Sequence, residues 1–231
     1  MRVLHSVVLG LASLAVSPAL GDEPANPGKS TDATPASEAV RAQNPAVPFK
    51  PADGDSPLAE GWPGATRPGM IEVKSYPAYR SAVARAKQAS MGADNVLFWP
   101  LFNHISKKGV EMTTPVVNTY EADMLGDARD SGDMSMEFVY RTTTLGETGQ
   151  GVGAVKVEDH PEATYVCLGL QGAMSVKRLR DGVAELNRWL EERQSEWIAA
   201  GPPRRLGYHG PMTPTNQRLW EVQIPVKPAP R

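Results

Sequence analysis

The chain has 231 residues, 41% of them hydrophobic and 22% charged, with a formal net charge of −2. That length suits one globular domain and a tail, and the near-neutral charge carries no footprint of a nucleic-acid binder or a polybasic membrane protein. A single cysteine, Cys167, excludes an intramolecular disulfide and a cysteine-based zinc cluster, so stability has to come from a packed core.

The chain opens with Arg2 and an apolar run from Val3 to about Val16, and closes this stretch with Ala19-Leu20-Gly21, the small-x-small pattern of an export signal over residues 1–21. The run is interrupted by His5, Ser6 and Ser13, and a membrane span needs about 20 apolar residues. Cleavage near Gly21, a periplasmic or secreted location and no stable span in the mature chain are therefore expected. Residues 22–66 are rich in Pro, Ala, Asp and Gly without a lasting period. Such a stretch cannot bury enough surface to offset its ordering entropy, which predicts a disordered linker. Docking of the part around Phe49 and Trp62 onto the domain is the alternative.

The folded domain is expected over residues 67–228. "MIEVKSY" alternates as a strand, and "AYRSAVARA" reads as a second one beyond Pro77. In "NVLFWPLFNHIS", Phe98, Leu101, Phe102 and Ile105 fall at i, i+3, i+4 and i+7, an amphipathic helix. Proline is tolerated in a first turn, which predicts a start just before Pro100. Lys107-Lys108-Gly109 supplies the C-terminal signal. Strands follow at about Val110–Tyr120, Met134–Thr142 and Val152–Glu158, then "ATYVCLGLQG". Ser175 caps a long helix with the stripe Val176, Leu179, Val183, Leu186 and Leu190. "RRLGYHGPM" and "RLWEVQIPV" close the chain as strands. Helices spaced by antiparallel strands argue for an α+β domain, and the element order looks doubled, with one helix in each half.

Enzyme signatures are missing: there is no G-x-S-x-G elbow, P-loop or H-E-x-x-H. "GQGVGAV" (149–155) lacks the helix that a nucleotide fingerprint needs, and reads as a hairpin connection. His104, His160 and His209 are far apart, with no metal partner at helical or strand spacing. His160 precedes Pro161 in a turn and is expected to be solvated. His209 could line a site or end a strand. His104 lies beside the apolar stripe, either as a hydrogen-bonded edge residue or as a ligand. Cys167 reads as an inert core residue, and Met112, Met134, Met136 and Met174 as core or as a soft pocket.

Seven fragments in order, "IEVKSYPAY", "LFNHISKKGVEMTTPVV", "MSMEFVYR", "TYVCLGLQG", "ELNRWLEE", "LGYHGPM" and "LWEVQIPV", resemble the SOUL heme-binding family from about Met70 to Val226. The most specific is "VEMTTPV", which is similar to the family's I-x-M-T-x-P-V. The resemblance implies a pseudo-two-fold α+β domain, a distorted β-barrel of two antiparallel sheets flanked by two helices. This SOUL/effector-binding-like fold is shared with regulator domains that hold hydrophobic small molecules between their halves. It also implies a heme or tetrapyrrole ligand, held by an apolar groove or by an axial histidine.

Ser75 stands where relatives are proposed to carry that histidine. Iron ligation would then fall to His104, or to no protein group at all. The implied cofactor-binding residues are His104, Phe98, Leu101, Phe102, Met112, Lys177 and Arg178, with His104 as the metal ligand; Lys107, Lys108 and Arg180 are further propionate partners. The expected function is an exported, non-enzymatic binding protein for heme or a related tetrapyrrole, with no nucleic-acid partner. An effector-type pocket for another hydrophobic molecule and a tethered interaction module without heme are the alternatives.

Overall fold

In the computed structural model, which describes residues 56–121, 124–125 and 130–230, alternation and helical period become twelve main elements. They are β1 (Ile71–Tyr76), β2 (Tyr79–Ser90), α1 (Asp94–Lys108), β3 (Val116–Tyr120), β4 (Ser131–Val139), β5 (Gly149–Gln150), β6 (Lys156–His160), β7 (Ala163–Gln171), α2 (Val176–Glu192), β8 (Trp197–Ala199), β9 (Arg204–Gly207) and β10 (Leu219–Pro228). The export signal, and the linker as far as residue 55, lie outside the described residues. Among the described residues no helix is long and apolar enough to cross a membrane.

The strands pair antiparallel in one open path, β1-β7-β10-β9-β3-β4-β2-β6-β5, with β8 added on β10. A single hydrogen-bonded sheet thus stands where two were expected. Its order is a palindrome about the β9–β3 pairing, where Asn118 faces Arg205. Each side runs strand, strand, helix, strand, strand: β1, β2, α1, β3, β4 and β6, β7, α2, β9, β10. The opening strands are exchanged, for β1 pairs with β7 of the second half and β6 with β2 of the first.

Alternation divides the interior into two cores. In β10, Trp220, Val222, Ile224 and Val226 join the core with Leu101 and Ile105 of α1 and Leu179 and Leu186 of α2, so both helices cover one face. Glu221 and Gln223 point to the other face and are nevertheless fully buried. Their cover is the segment 56–69. Here the expected linker is corrected: Ala59, Trp62, Ala65 and Thr66 pack onto the sheet. Trp62 sits edge-on to Tyr76 and Tyr79, with ring centroids 5.0 Å from each. The Thr66 N–H and Lys74 Nζ donate to Glu221, the latter at 2.8 Å. A face bearing Tyr76, Tyr79, Leu206 and Tyr208 is too apolar to meet water, which is why a Pro/Gly-rich segment orders upon it. Gly169 makes room, because a Cβ there would collide with the carbonyls of Thr66 and Arg67.

Several boundaries differ from expectation: β4 is Ser131–Val139 rather than Met134–Thr142, β6 is Lys156–His160 rather than Val152–Glu158, and β9 stops at Gly207. Helix α1 begins at Asp94, which places Pro100 inside it; the carbonyl that loses its donor belongs to Val96, a residue 63% exposed, where solvent can replace the bond. Strand β3 begins only at Val116. The preceding Thr113 and Thr114 hydroxyls donate to the carbonyls of Val139 and Tyr208, and the Thr114 N–H donates to Pro57. The "TTP" signature is therefore a buried clasp between the two halves and the 56–69 segment rather than part of a strand.

Candidate functional site

Helix α1 has two unlike faces. Leu97, Leu101, His104 and Ile105 are buried against the sheet, while Val96, Trp99 (62% exposed) and Phe102 (44% exposed) face outward. Phe98 joins the two: it packs edge-on to Phe138 of β4 at 5.2 Å and lies parallel to Phe102 at 6.0 Å. Trp99 stands edge-on to both Phe98 and Phe102, at 5.6 and 6.0 Å. Exposed aromatic side chains in contact with one another, on a helix already anchored by a different face, form a patch of the kind that marks binding surfaces. Of the expected groove residues, Phe98 and Phe102 belong to this patch. Leu101 lies fully buried beneath it, and Met112 is half-buried against the core.

His104 is 1% exposed, and both its ring nitrogens are engaged. The Val152 N–H donates to Nδ1 at 3.0 Å, so Nε2 carries the proton and donates to the Tyr140 hydroxyl at 2.8 Å. Burial, and then the nearby charge of Lys108, hold its pKa below the ordinary histidine value. This side chain pins α1 to the end of β4 and to the β5–β6 connection, and it offers iron no free lone pair. Among the described residues no group of three or more His, Cys, Asp or Glu could hold a metal ion.

The expected propionate partners are scattered in role. Lys177 forms an exposed i,i+4 pair with Asp181 at 2.7 Å. Arg178 donates to the Gln171 and Ala173 carbonyls and lies over the Trp220 ring, bracing the approach to α2. Arg180 pairs with Asp130 at 2.9 Å. Lys107 and Lys108 are exposed in the last turn of α1.

Above the β3–β9 seam the starts of the two helices leave a cavity of about 130 Å³, whose wall includes Asp94, Tyr120, Met174, Ser175, Val176 and Arg205. Arg205, 8% exposed, donates through Nη2 to Asp94 Oδ2 and Asn118 Oδ1, both at 2.9 Å. Burial pushes the Tyr120 phenol up to about 12, Arg205 opposing, so it stays protonated. Sequence reasoning found Ser175 as a helix cap but missed Asp94, Tyr120 and Arg205. The one available signal was an odd one, two adjacent arginines in a short strand.

His160, expected in solvent, packs at the end of β6. Its ring stacks on Tyr79 at 4.4 Å, and Nε2 lies 2.8 Å from Ser81 Oγ and 3.4 Å from Glu137. This is not a nucleophile arrangement: Ser81 is fully buried and donates to Glu137, and the carboxylate approaches the same ring nitrogen as the serine instead of orienting the other one. His209 accepts the Leu219 N–H through Nδ1 and fixes the turn before β10. Burial pushes the Cys167 thiol up, which leaves it an unreactive core group.

The fold has solved counterparts. The EcmrR C-terminal domain superposes with a TM-score of 0.56 at 18% identity, covering 68% of this chain and 97% of that domain. EcmrR in its complex with DNA gives 0.55 at 18%, again over 68% of this chain but only 57% of that one. A hydrolase from Listeria innocua gives 0.50 at 11% identity, over 71% and 93% of the two chains. At these identities the likeness is one of fold. No curated protein matches the chain. The profile of the family described as SOUL heme-binding protein matches residues 64–225, which takes in both halves of the palindromic sheet, both helices and the Thr113-Thr114-Pro115 clasp; the chain belongs to the SOUL heme-binding protein family.

Proposed function

We propose that the protein is an exported binding protein rather than an enzyme, and that it takes heme or a related tetrapyrrole on the outward aromatic face of α1. The observation that carries this reading is the mutual contact of Phe98, Trp99 and Phe102, with Phe98 anchored on Phe138 and the rings of Trp99 and Phe102 left exposed. A flat macrocycle matches such a surface by stacking. Bound heme would bring an apolar ring, two carboxylates and an iron. The ring suits the patch, whereas His104 does not suit the iron. A few hundred Å² of apolar contact at about 25 cal/mol per Å² amounts to several kcal/mol before the cost of association, enough for groove binding without an axial bond. The cavity over β3 and β9 is smaller than the roughly 300–1,000 Å³ of ligand pockets and cannot take the ring.

The test is a heme titration of the full chain followed through the Soret band. Saturable binding is expected, weakened about tenfold or more by Trp99→Ala and unchanged in band position by His104→Gln. Absorbance that rises without saturating would remove heme from the reading. The same aromatic face would also serve a protein partner, as the tethered-module reading requires. That reading gains if heme fails to saturate and a partner from the exported fraction is retained by the wild type but not by Trp99→Ala.

A further inference from the structure

The two helix starts that meet over the β3–β9 seam are chemically unequal. Helix α1 opens with Asp94, the acidic residue that a helix N-terminus favours. The 17-residue helix α2 has no acidic residue in its first turn. It opens Ser175-Val176-Lys177-Arg178-Leu179-Arg180, with cations where the peptide dipoles already leave positive charge. Between these starts Arg205 rises from β9, more than nine-tenths buried, with one edge of its guanidinium on Asp94 and Asn118. Its Nε–H has no hydrogen-bond partner. A buried donor left without an acceptor is destabilising, and Arg205 is one of the residues that line the cavity.

We propose that this cavity is a carboxylate subsite, in which a carboxylate arm of the ligand enters between the two helix starts and is held by Arg205 and the first turn of α2. Size selects the arm over the ring. The cavity's 130 Å³ lies well below the roughly 300–1,000 Å³ of ligand pockets, which admits a short arm such as a carboxyethyl group and excludes the ring. Charge selects an anion, since the guanidinium and the helix start are both positive and Tyr120 adds a neutral wall. Asp94 already occupies one edge of the guanidinium and sets a threshold, because an incoming carboxylate competes with it. Its side chain is 35% exposed and stands at the rim, where it can turn outward. The identity of the arm as a tetrapyrrole propionate rests on the proposed function above; the subsite itself does not.

Two measurements on the full chain separate these claims. The first follows the thermal midpoint against sodium propionate, with sodium chloride at equal ionic strength as the control. Propionate should raise the midpoint saturably with a millimolar Kd. Asp94→Asn should tighten Kd about fivefold, and Arg205→Gln should weaken it at least tenfold with an unchanged circular dichroism spectrum. If Arg205→Gln does not fold, the gain in Asp94→Asn decides, because misfolding cannot produce a gain. A response equal to that of chloride, or no gain in Asp94→Asn, overturns the subsite. The second compares heme with its dimethyl ester, and the free acid should bind at least tenfold more tightly. Equal affinities, with no propionate effect, overturn the subsite and leave tetrapyrrole binding standing. No saturable binding of either compound, with the propionate effect intact, overturns tetrapyrrole binding and leaves the subsite.

Discussion

His104 holds three parts of the chain together through two hydrogen bonds that only its neutral ring can make. Protonation of Nδ1 would turn the acceptor of the Val152 N–H into a donor. Burial and Lys108 keep the folded pKa below the ordinary value, so below about pH 6.5 the unfolded chain takes up a proton that the folded one resists. The stability owed to this group is thus present above that pH and lost as pH falls through it toward the folded value. Thermal midpoints between pH 7.5 and 5 should fall more steeply for the wild type than for His104→Gln; parallel curves would show that the ring does not titrate in this way. The partners of His104 lie 36 and 48 residues away. That distance is why the sequence could place it on an apolar edge without naming its role. The same holds for His160, whose neighbours Tyr79, Ser81 and Glu137 arrive from two other strands. A reading along the chain sees the turn at Pro161 and not the stacked ring.

Helix α1 was legible in its presence and in its Gly109 end, where the backbone is left-handed at φ 63° and glycine meets no steric cost. Of the expected stripe Phe98, Leu101, Phe102 and Ile105, Leu101 and Ile105 are buried, and Leu97 and His104 complete that face in place of the two phenylalanines. The start of the helix was not legible, because proline's penalty is local to the helix whereas the contacts that override it come from elsewhere in the fold. In the folded domain Leu97 is buried and Phe98 packs on Phe138, so tertiary contact extends the helix past a residue that would otherwise begin it. Pro100 consequently leaves the Val96 carbonyl without its backbone donor. Pro100→Ala restores that donor and should stabilise the fold by about 1–3 kcal/mol, read as a higher urea midpoint at constant m. A loss of stability would mean that the ring's packing outweighs the missing bond. Strand β10 shows the opposite case. Its alternation puts Glu221 and Gln223 on the face away from both helices, yet that face does not meet water, because residues 56–69 lie over them.

At the scale of the molecule, that covering segment sets where the domain begins. A chain starting at residue 56 should keep the thermal midpoint of the full protein. One starting at residue 70 should lose several kcal/mol, given that removing a buried tryptophan alone typically costs about 3–5 kcal/mol. Equal midpoints for the two truncations would show the segment to be dispensable. Fold class, helix count and the doubled plan could be read from element order, since they depend on local period. The joining of all strands into one sheet could not, because it is settled at the β3–β9 seam, where Asn118 meets Arg205 across the two halves. The exchange of β1 and β6 across that seam carries a further consequence. Neither half can satisfy its own opening strand, so a chain of half this length would be incomplete alone but complete as a symmetric pair, each copy lending its first strand to the other. Joining two such copies end to end releases them from identity, since a substitution in one no longer recurs in its twin. Asp94 at the start of α1 and the uncharged Ser175 at the start of α2 are what that release permits: a cavity with two unlike sides, which a strictly two-fold assembly could never build on its own axis.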